Sequence, residues 1–339
     1  MDKLHRNILL AIVIITLSTR LFLAFTIPNF TYDSYFHLRQ VEHITETGFP
    51  LYEDTLSYGG RDFRLVPLFH YVTSFFDLFL PLEVAAKILP NLFLSLLPII
   101  TYLIARKITD EPVGPIFSAL ITGFLPILFN TNGFSVETLF LPLIFLAIYA
   151  FMHYEKHLYL YLTTFVLLSF TSSLAFLLLM GFGFYVLLSY IENKKVVRAE
   201  FEMILFSIFF FSWAQFLFFK NTLLEEGIRF IWRNVPVSIL QEYFPMVSVT
   251  QALVLVSIIP FLTGIYIVYR SLFSLKHTKS FLLISLVIST TLLSWFRLIQ
   301  FELALAFFGV ILAILFAPFY KEVSNYFKKT KFAKAHTIL

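Results

Sequence analysis

The residues best suited to chemistry in this 339-residue sequence sit in short polar segments between long apolar runs. The first reads Thr31-Tyr32-Asp33-Ser34-Tyr35-Phe36-His37-Leu38-Arg39-Gln40. An Asp and a His four positions apart share one helix face. A carboxylate there can take a proton from an acceptor or hold a hard divalent ion. Asp33 can equally serve as the N-cap of a helix over 34–45, and the residue types leave both roles open. The second segment, Asn130-Thr131-Asn132-Gly133-Phe134-Ser135-Val136-Glu137, ends on an acid at the head of an apolar run. Glu137 is either a functional carboxylate or an anion that favours a helix N-terminus.

A third segment, 220–246, carries Glu225, Glu226, Arg229 and Arg233, then Ile239-Leu240-Gln241-Glu242-Tyr243-Phe244-Pro245. Scattered charge of this kind is ordinary solvated surface, but ordered loops of such length are often functional. Arg297 lies in Ser294-Trp295-Phe296-Arg297-Leu298-Ile299-Gln300-Phe301. It reads as an interfacial Arg beside a belt Trp or as a phosphate clamp, for which the planar guanidinium is well shaped. Arg20 stands within the first apolar run, where a cation is costly and faces a polar interior. The sequence names no partner for it.

Composition fixes what must position these groups. The chain is 59% hydrophobic and 14% charged, with 44 Phe and a mean hydropathy of +0.83. Soluble chains are about a quarter charged, so this one needs an apolar solvent. The runs show no period-two alternation, which excludes a membrane β-barrel. The expected fold class is all-α: a polytopic membrane protein of about ten transmembrane helices. Spans are expected at 8–27, 87–105, 113–130, 138–152, 158–172, 173–191, 201–219, 247–269, 280–296 and 302–319. The N-terminal run has no small-residue cleavage site and reads as a retained first span. The segment 65–82, with His70 and Asp77, reads as an interfacial amphipathic helix.

That choice puts most Lys and Arg, including Arg106, Lys107, Lys194, Lys195 and Arg198, on one side, as the positive-inside rule requires. Both termini are then cytoplasmic in a multi-pass protein of the cell membrane, and the polar segments gather on the extracytoplasmic side. Residues 1–319 form a single transmembrane domain, with a first extracytoplasmic loop at 28–86 and a later one at 220–246. Residues 320–339 are a basic cytoplasmic tail suited to contact with anionic lipids. Cysteine is absent, which excludes disulfides and thiolate metal sites. The net charge of +4 marks membrane topology rather than nucleic-acid binding, since no basic stripe with interleaved aromatics occurs.

The order of these motifs resembles GT-C glycosyltransferases, most closely the membrane domain of the oligosaccharyltransferase catalytic subunit. That family's first outer loop has an Asp, an aromatic pair, His-Leu-Arg and then Gly-Phe-Pro. Here the match is Asp33-Ser34-Tyr35-Phe36-His37-Leu38-Arg39 with Gly48-Phe49-Pro50. A Pro-containing interfacial helix follows (Val66-Pro67-Leu68-Phe69), then a Leu-Pro span, Leu89-Pro90 through Ala105-Arg106-Lys107. The likeness covers about 1–150. Beyond it, the family's acidic-x-acidic motif survives as Ser135-Val136-Glu137, and the later Glu and Pro survive as Glu242 and Pro245 without the preceding hydroxyl. The family's further spans and its soluble C-terminal domain with Trp-Trp-Asp-Tyr-Gly have no counterpart here, so a shorter enzyme with another acceptor is expected.

The resemblance implies inverting transfer of a sugar from a polyprenyl-phosphate or polyprenyl-diphosphate donor to an acceptor not identified by the sequence. It makes Asp33 the catalytic carboxylate. Asp33, Glu137 and Glu242 are the candidate ligands for Mg2+ or Mn2+. Arg297, Arg229 and Arg233 are the candidates for the donor phosphate, with His37 and Arg39 in support. Two rivals remain: a catalytically degenerate relative that binds lipid-linked sugar, which Ser135 favours, and a transporter for a lipid-linked substrate. A transporter is expected to gather polar residues at mid-membrane.

Overall fold

A computed structural model describes residues 3–56, 60–62, 64–227, 248–275 and 280–329. The chain is an all-α membrane protein among these residues, apart from one two-residue hairpin. The helices are α1 (Lys3–Thr26), α2 (Tyr32–Thr47), α3 (Leu68–Asp77), α4 (Leu82–Ser95), α5 (Leu97–Ile108), α6 (Gly114–Gly123), α7 (Glu137–Met152) and α8 (Tyr154–Thr171). They continue as α9 (Phe176–Ile191), α10 (Arg198–Glu226), α11 (Val249–Val256), α12 (Ile258–Arg270), α13 (Phe281–Trp295) and α14 (Phe301–Lys329).

Among the described residues, five segments are long and apolar enough to cross a membrane: Lys3–Thr26, Leu82–Ile108, Ser173–Ile191, Arg198–Glu225 and Phe301–Lys329. The bent pair α11–α12 makes a sixth if it is one span. Expected spans at 113–130, 138–152 and 280–296 fall on shorter apolar helices, α6, α7 and α13. The expected span 247–269 is broken: its halves meet at 94°. The break falls at Ser257, which adopts φ +69°.

The long helix α14 is the axis of the bundle. It packs against α5, α6, α12 and α13, and 72% of its most apolar window is buried, against 28% for α1. Its core residues Phe307, Val310, Ile311, Ile314 and Leu315 join Phe140 and Phe145 of α7 and Phe165 of α8 in one apolar cluster. α1 lies at the rim and meets α6 closely. A Cβ at Gly123 would stand 2.7 Å from Thr16 Oγ1, so that crossing needs glycine. α14 also runs on to Lys329, so the segment expected as a tail from 320 begins as helix.

The first polar segment is more ordered than a loop. α2 covers 32–47, wider than the expected 34–45, and its N-cap is Thr31. Asp33 therefore lies within the first turn and is not the N-cap. α2 stops at Gly48, whose φ of +80° lets its N–H reach Ile44 O at 2.8 Å. A side chain there would strain this left-handed turn. The chain then forms a hairpin, β1 (Glu53–Asp54) against β2 (Arg61–Asp62). The amphipathic helix α3 covers 68–77, the middle of the expected 65–82. A small second core of Val41, Phe69, Ala86 and Phe134 welds α2, α3, α4 and the 129–136 turn together.

Candidate active site

Asp33 and Glu137 each occupy the first turn of a helix, α2 and α7. The unpaired N–H groups there favour an anion. The fold brings the two helix starts to one cavity of about 190 Å³. Its wall also includes Ser34, Asn130, Ser135 and Thr138, and from the start of α14, Gln300 and Glu302. Apolar Leu94, Leu128, Leu141, Leu303 and Ala306 also line it. Among the described residues no hydrogen bond or ion pair engages Asp33, Glu137 or Glu302, so all three carboxylates are available to a ligand.

The two polar segments are stitched together by backbone and hydroxyl groups. Ser34 Oγ accepts from the Phe134 N–H at 2.8 Å and lies 3.3 Å from Asn132 O. Thr31 N–H donates to the same Asn132 carbonyl at 3.3 Å. Thr31 and Ser34 share a hydroxyl pair at 2.7 Å. Asp33 therefore rides on a turn whose neighbours hold the 132–134 backbone directly.

His37 sits one turn along α2 from Asp33, half-buried. Its Nδ1 lies 2.9 Å from Nε2 of His70 on α3. Phe69 and Phe134 contact the His37 ring edge to face. Burial lowers the His37 pKa, against the opposing fields of Glu137 and then Asp33. Burial, helped by His37, pushes His70 down to about 3. His70 is thus neutral at ordinary pH. Its Nδ1 has no partner among the described residues. A bare acceptor is the less costly orphan, which favours a His70 Nε2–H donating to His37 and leaves the His37 proton on Nε2.

Arg39 does not join the cavity. It pairs with Asp54 at 2.7 Å and fixes the hairpin. Arg297 ends α13 in a left-handed turn, φ +56°, at a position where glycine is usual. The Arg297 N–H donates to Ser294 O at 3.0 Å and the Leu298 N–H to Leu293 O at 2.9 Å, the double bond of a Schellman turn. The Arg297 side chain is exposed, three residues before Gln300 of the cavity. Glu225 and Glu226 belong to α10 rather than to a loop. Arg229, Arg233 and Glu242 lie outside the described residues.

The metal expectation has a matching donor chemistry, since Asp33, Glu137 and Glu302 offer the oxygens that Mg2+ and Mn2+ prefer. Among the described residues, however, no three acidic or histidine side chains stand close enough to form one coordination set. Sequence reasoning passed over His70, Gln300, Glu302 and the coupling role of Ser34. A polar pair opening the last apolar run was the available signal for Gln300 and Glu302. Nothing in the sequence links residues near 134 to residue 34.

No family model and no curated protein matches this sequence. Its fold is similar to solved structures of an archaeal oligosaccharyltransferase. The Archaeoglobus fulgidus enzyme in its apo form superposes with a TM-score of 0.64 at 14% identity, over 98% of this chain and 51% of that chain. AglB from the same organism, in complex with an inhibitory peptide and a dolichol-phosphate, gives 0.62 at 14% identity over 96% and 51%. The enzyme in complex with Zn and sulfate gives 0.59 at 15% identity over 98% and 51%. The chain thus spans about half the length of these relatives in fold.

Proposed function

We propose that this protein is a membrane glycosyltransferase of the GT-C type, moving a sugar with inversion from a polyprenyl-phosphate or polyprenyl-diphosphate donor to an acceptor on the extracytoplasmic face. The observation that carries the reading is the convergence of Asp33 and Glu137, a hundred residues apart, on one cavity at a bundle end. The likeness in fold to an oligosaccharyltransferase solved in complex with a dolichol-phosphate supports a lipid-linked donor.

In this reading the Asp33 carboxylate takes the proton of the acceptor nucleophile as it attacks the anomeric carbon. The new bond forms there on the face opposite the sugar–phosphate bond, which breaks with its electron pair leaving on the phosphate oxygen. Positive charge grows on the sugar ring in the transition state, and nearby carboxylates stabilise it. Three carboxylates around one small cavity also repel a phosphate. A counter-charge is therefore needed at the leaving oxygen. Arg297, on the turn that leads into Gln300 and Glu302, is placed in sequence to supply it, and Arg229 and Arg233 are further candidates. A bound Mg2+ or Mn2+ would be held by Asp33 and Glu137, with Glu242 as a further ligand, and would supply the same charge compensation.

The test is sugar transfer by the purified chain in liposomes, using radiolabelled polyprenyl-phosphate and polyprenyl-diphosphate sugars, for wild type and Asp33→Asn, with and without EDTA. Transfer by wild type and its loss in Asp33→Asn is the expected result. EDTA sensitivity then decides the metal. Donor binding that is equal in both proteins, without transfer in either, would overturn the enzyme reading in favour of a lipid-linked-sugar binder, the reading that Ser135 in the cavity wall favours.

A further inference from the structure

Two cations lie buried at the base of the two polar segments, and neither is paired with a carboxylate among the described residues. Arg20 of α1 is 2% exposed and Lys87 of α4 is 8% exposed. Each donates to one backbone carbonyl near a segment end. Arg20 Nη1 donates to Leu128 O at 2.6 Å, and Arg20 Nε donates to Asn91 Oδ1 at 3.1 Å. Asn91 Nδ2 in turn donates to Thr131 O and to Lys87 O, each at 2.8 Å. Lys87 Nζ donates to Ile27 O at 2.8 Å, and Asn132 Nδ2 reaches the same carbonyl at 3.1 Å. Arg20 also stacks over Phe129 at 5.3 Å, and Lys87 lies 5.6 Å from both Phe25 and Phe30.

These contacts have a common geometry. Leu128, Thr131 and Asn132 begin the segment that ends in Glu137, and Ile27 begins the segment that ends in Asp33. A helix-interior Arg is expensive in an apolar surrounding and is kept when it fixes something. The fork of a guanidinium can hold two acceptors in one plane, which an ammonium cannot. Arg20 uses that fork to join α4 to the 126–128 turn. Lys87 and Asn91 are one helical turn apart, so a single face of α4 faces both segments.

We infer that Arg20, Asn91 and Lys87 form a polar clamp that sets the position of the 128–137 segment against the 27–34 segment, and so the separation of Glu137 from Asp33. They are positioning residues: none lines the cavity. The inference rests on the proposed reaction only for its catalytic consequence. Arg20 Nη2 has no partner among the described residues, so the guanidinium is held by two of its nitrogens and the ring contact alone.

The experiment is amide hydrogen exchange of the full chain in liposomes, read by mass spectrometry, alongside transfer kinetics, for wild type, Arg20→Gln, Arg20→Lys and Asn91→Ala. Asn91→Ala removes the tie to Thr131 while leaving Arg20 its bond to Leu128, and so guards against a variant that does not fold. Faster exchange confined to 27–34 and 128–137, with 140–151 unchanged, is expected in all three variants. Arg20→Lys restores less than half of the lost protection, because the fork is gone. With the proposed reaction, kcat falls roughly tenfold to a hundredfold at unchanged donor KM, the effect of a misplaced rather than a missing group. Exchange unchanged in Arg20→Gln and Asn91→Ala, or rising uniformly over the chain, would overturn the clamp. Local exchange gains in a protein whose wild type transfers no sugar would uphold the clamp and refute the reaction.

Discussion

The Ser34 hydroxyl accepts the Phe134 N–H at 2.8 Å, joining the residue after Asp33 to the residue before Ser135. Both groups are buried, so the bond has no replacement in water. With the Thr31 and Ser34 bonds to Asn132 O, this contact ties the first and second polar segments together across about 100 positions of sequence.

Ser34→Ala follows from it directly. The variant leaves the Phe134 N–H buried without an acceptor, and such an orphan costs about 1–3 kcal/mol. A lower melting temperature and weaker transfer are expected together. The check is thermal unfolding in detergent beside the liposome assay. A melting temperature equal to wild type would remove the coupling role of Ser34.

Asp33→Asn is isosteric and keeps the first turn of α2. Loss of a general base typically lowers turnover by about a hundredfold or more. Donor affinity should hold or rise severalfold, because the substitution removes one of the carboxylate charges that repel the phosphate. Direct binding of a labelled donor separates the two effects.

Arg297→Gly tests why a non-glycine residue holds φ +56°. The left-handed turn costs a side-chain-bearing residue about 1 kcal/mol, so glycine there should leave stability unchanged or raise it. Transfer should fall if the guanidinium meets the leaving phosphate. Full activity in a stable Arg297→Gly would assign Arg297 to the turn alone.

His70 gives a pH prediction with a definite sign. Its folded pKa is about 3, against an ordinary value of 6.5. Between those values the unfolded chain binds a proton that the folded chain does not. Stability is therefore full above about pH 6.5 and falls as pH drops toward 3. His37, also lowered by burial, acts in the same direction. His70→Phe keeps a ring beside Phe69 and should flatten the fall. Melting temperatures of both proteins across pH 4 to 7 decide it, and parallel curves would mean His70 does not contribute.

Glu302→Gln measures a residue that sequence reasoning gave no task. If Glu302 adds to the charge around the cavity, the variant should bind the donor phosphate more tightly, by severalfold at low salt. Titration with a labelled donor at two ionic strengths reads it. Weaker binding would instead make Glu302 a ligand of the donor or of a cation.

The amino-acid sequence by itself determined the helical membrane character, because 44 Phe and long apolar runs leave no aqueous alternative. It also determined that Glu137 stands at the start of an apolar helix, since an acid bordering an apolar run is a local signal. The tertiary structure alone decided that Asp33 and Glu137 share a wall with Gln300 and Glu302. It also decided that His37 faces His70 and that Arg39 serves the hairpin instead. The 94° break at Ser257 was invisible because apolar composition continues through it. Arg20 shows the division most clearly: its cost in an apolar run was legible at once, but its partners come from α4 and the 126–128 turn. Hydropathy is a property of neighbours along the chain, whereas hydrogen-bond partners 71 and 108 positions apart exist only once helices have packed.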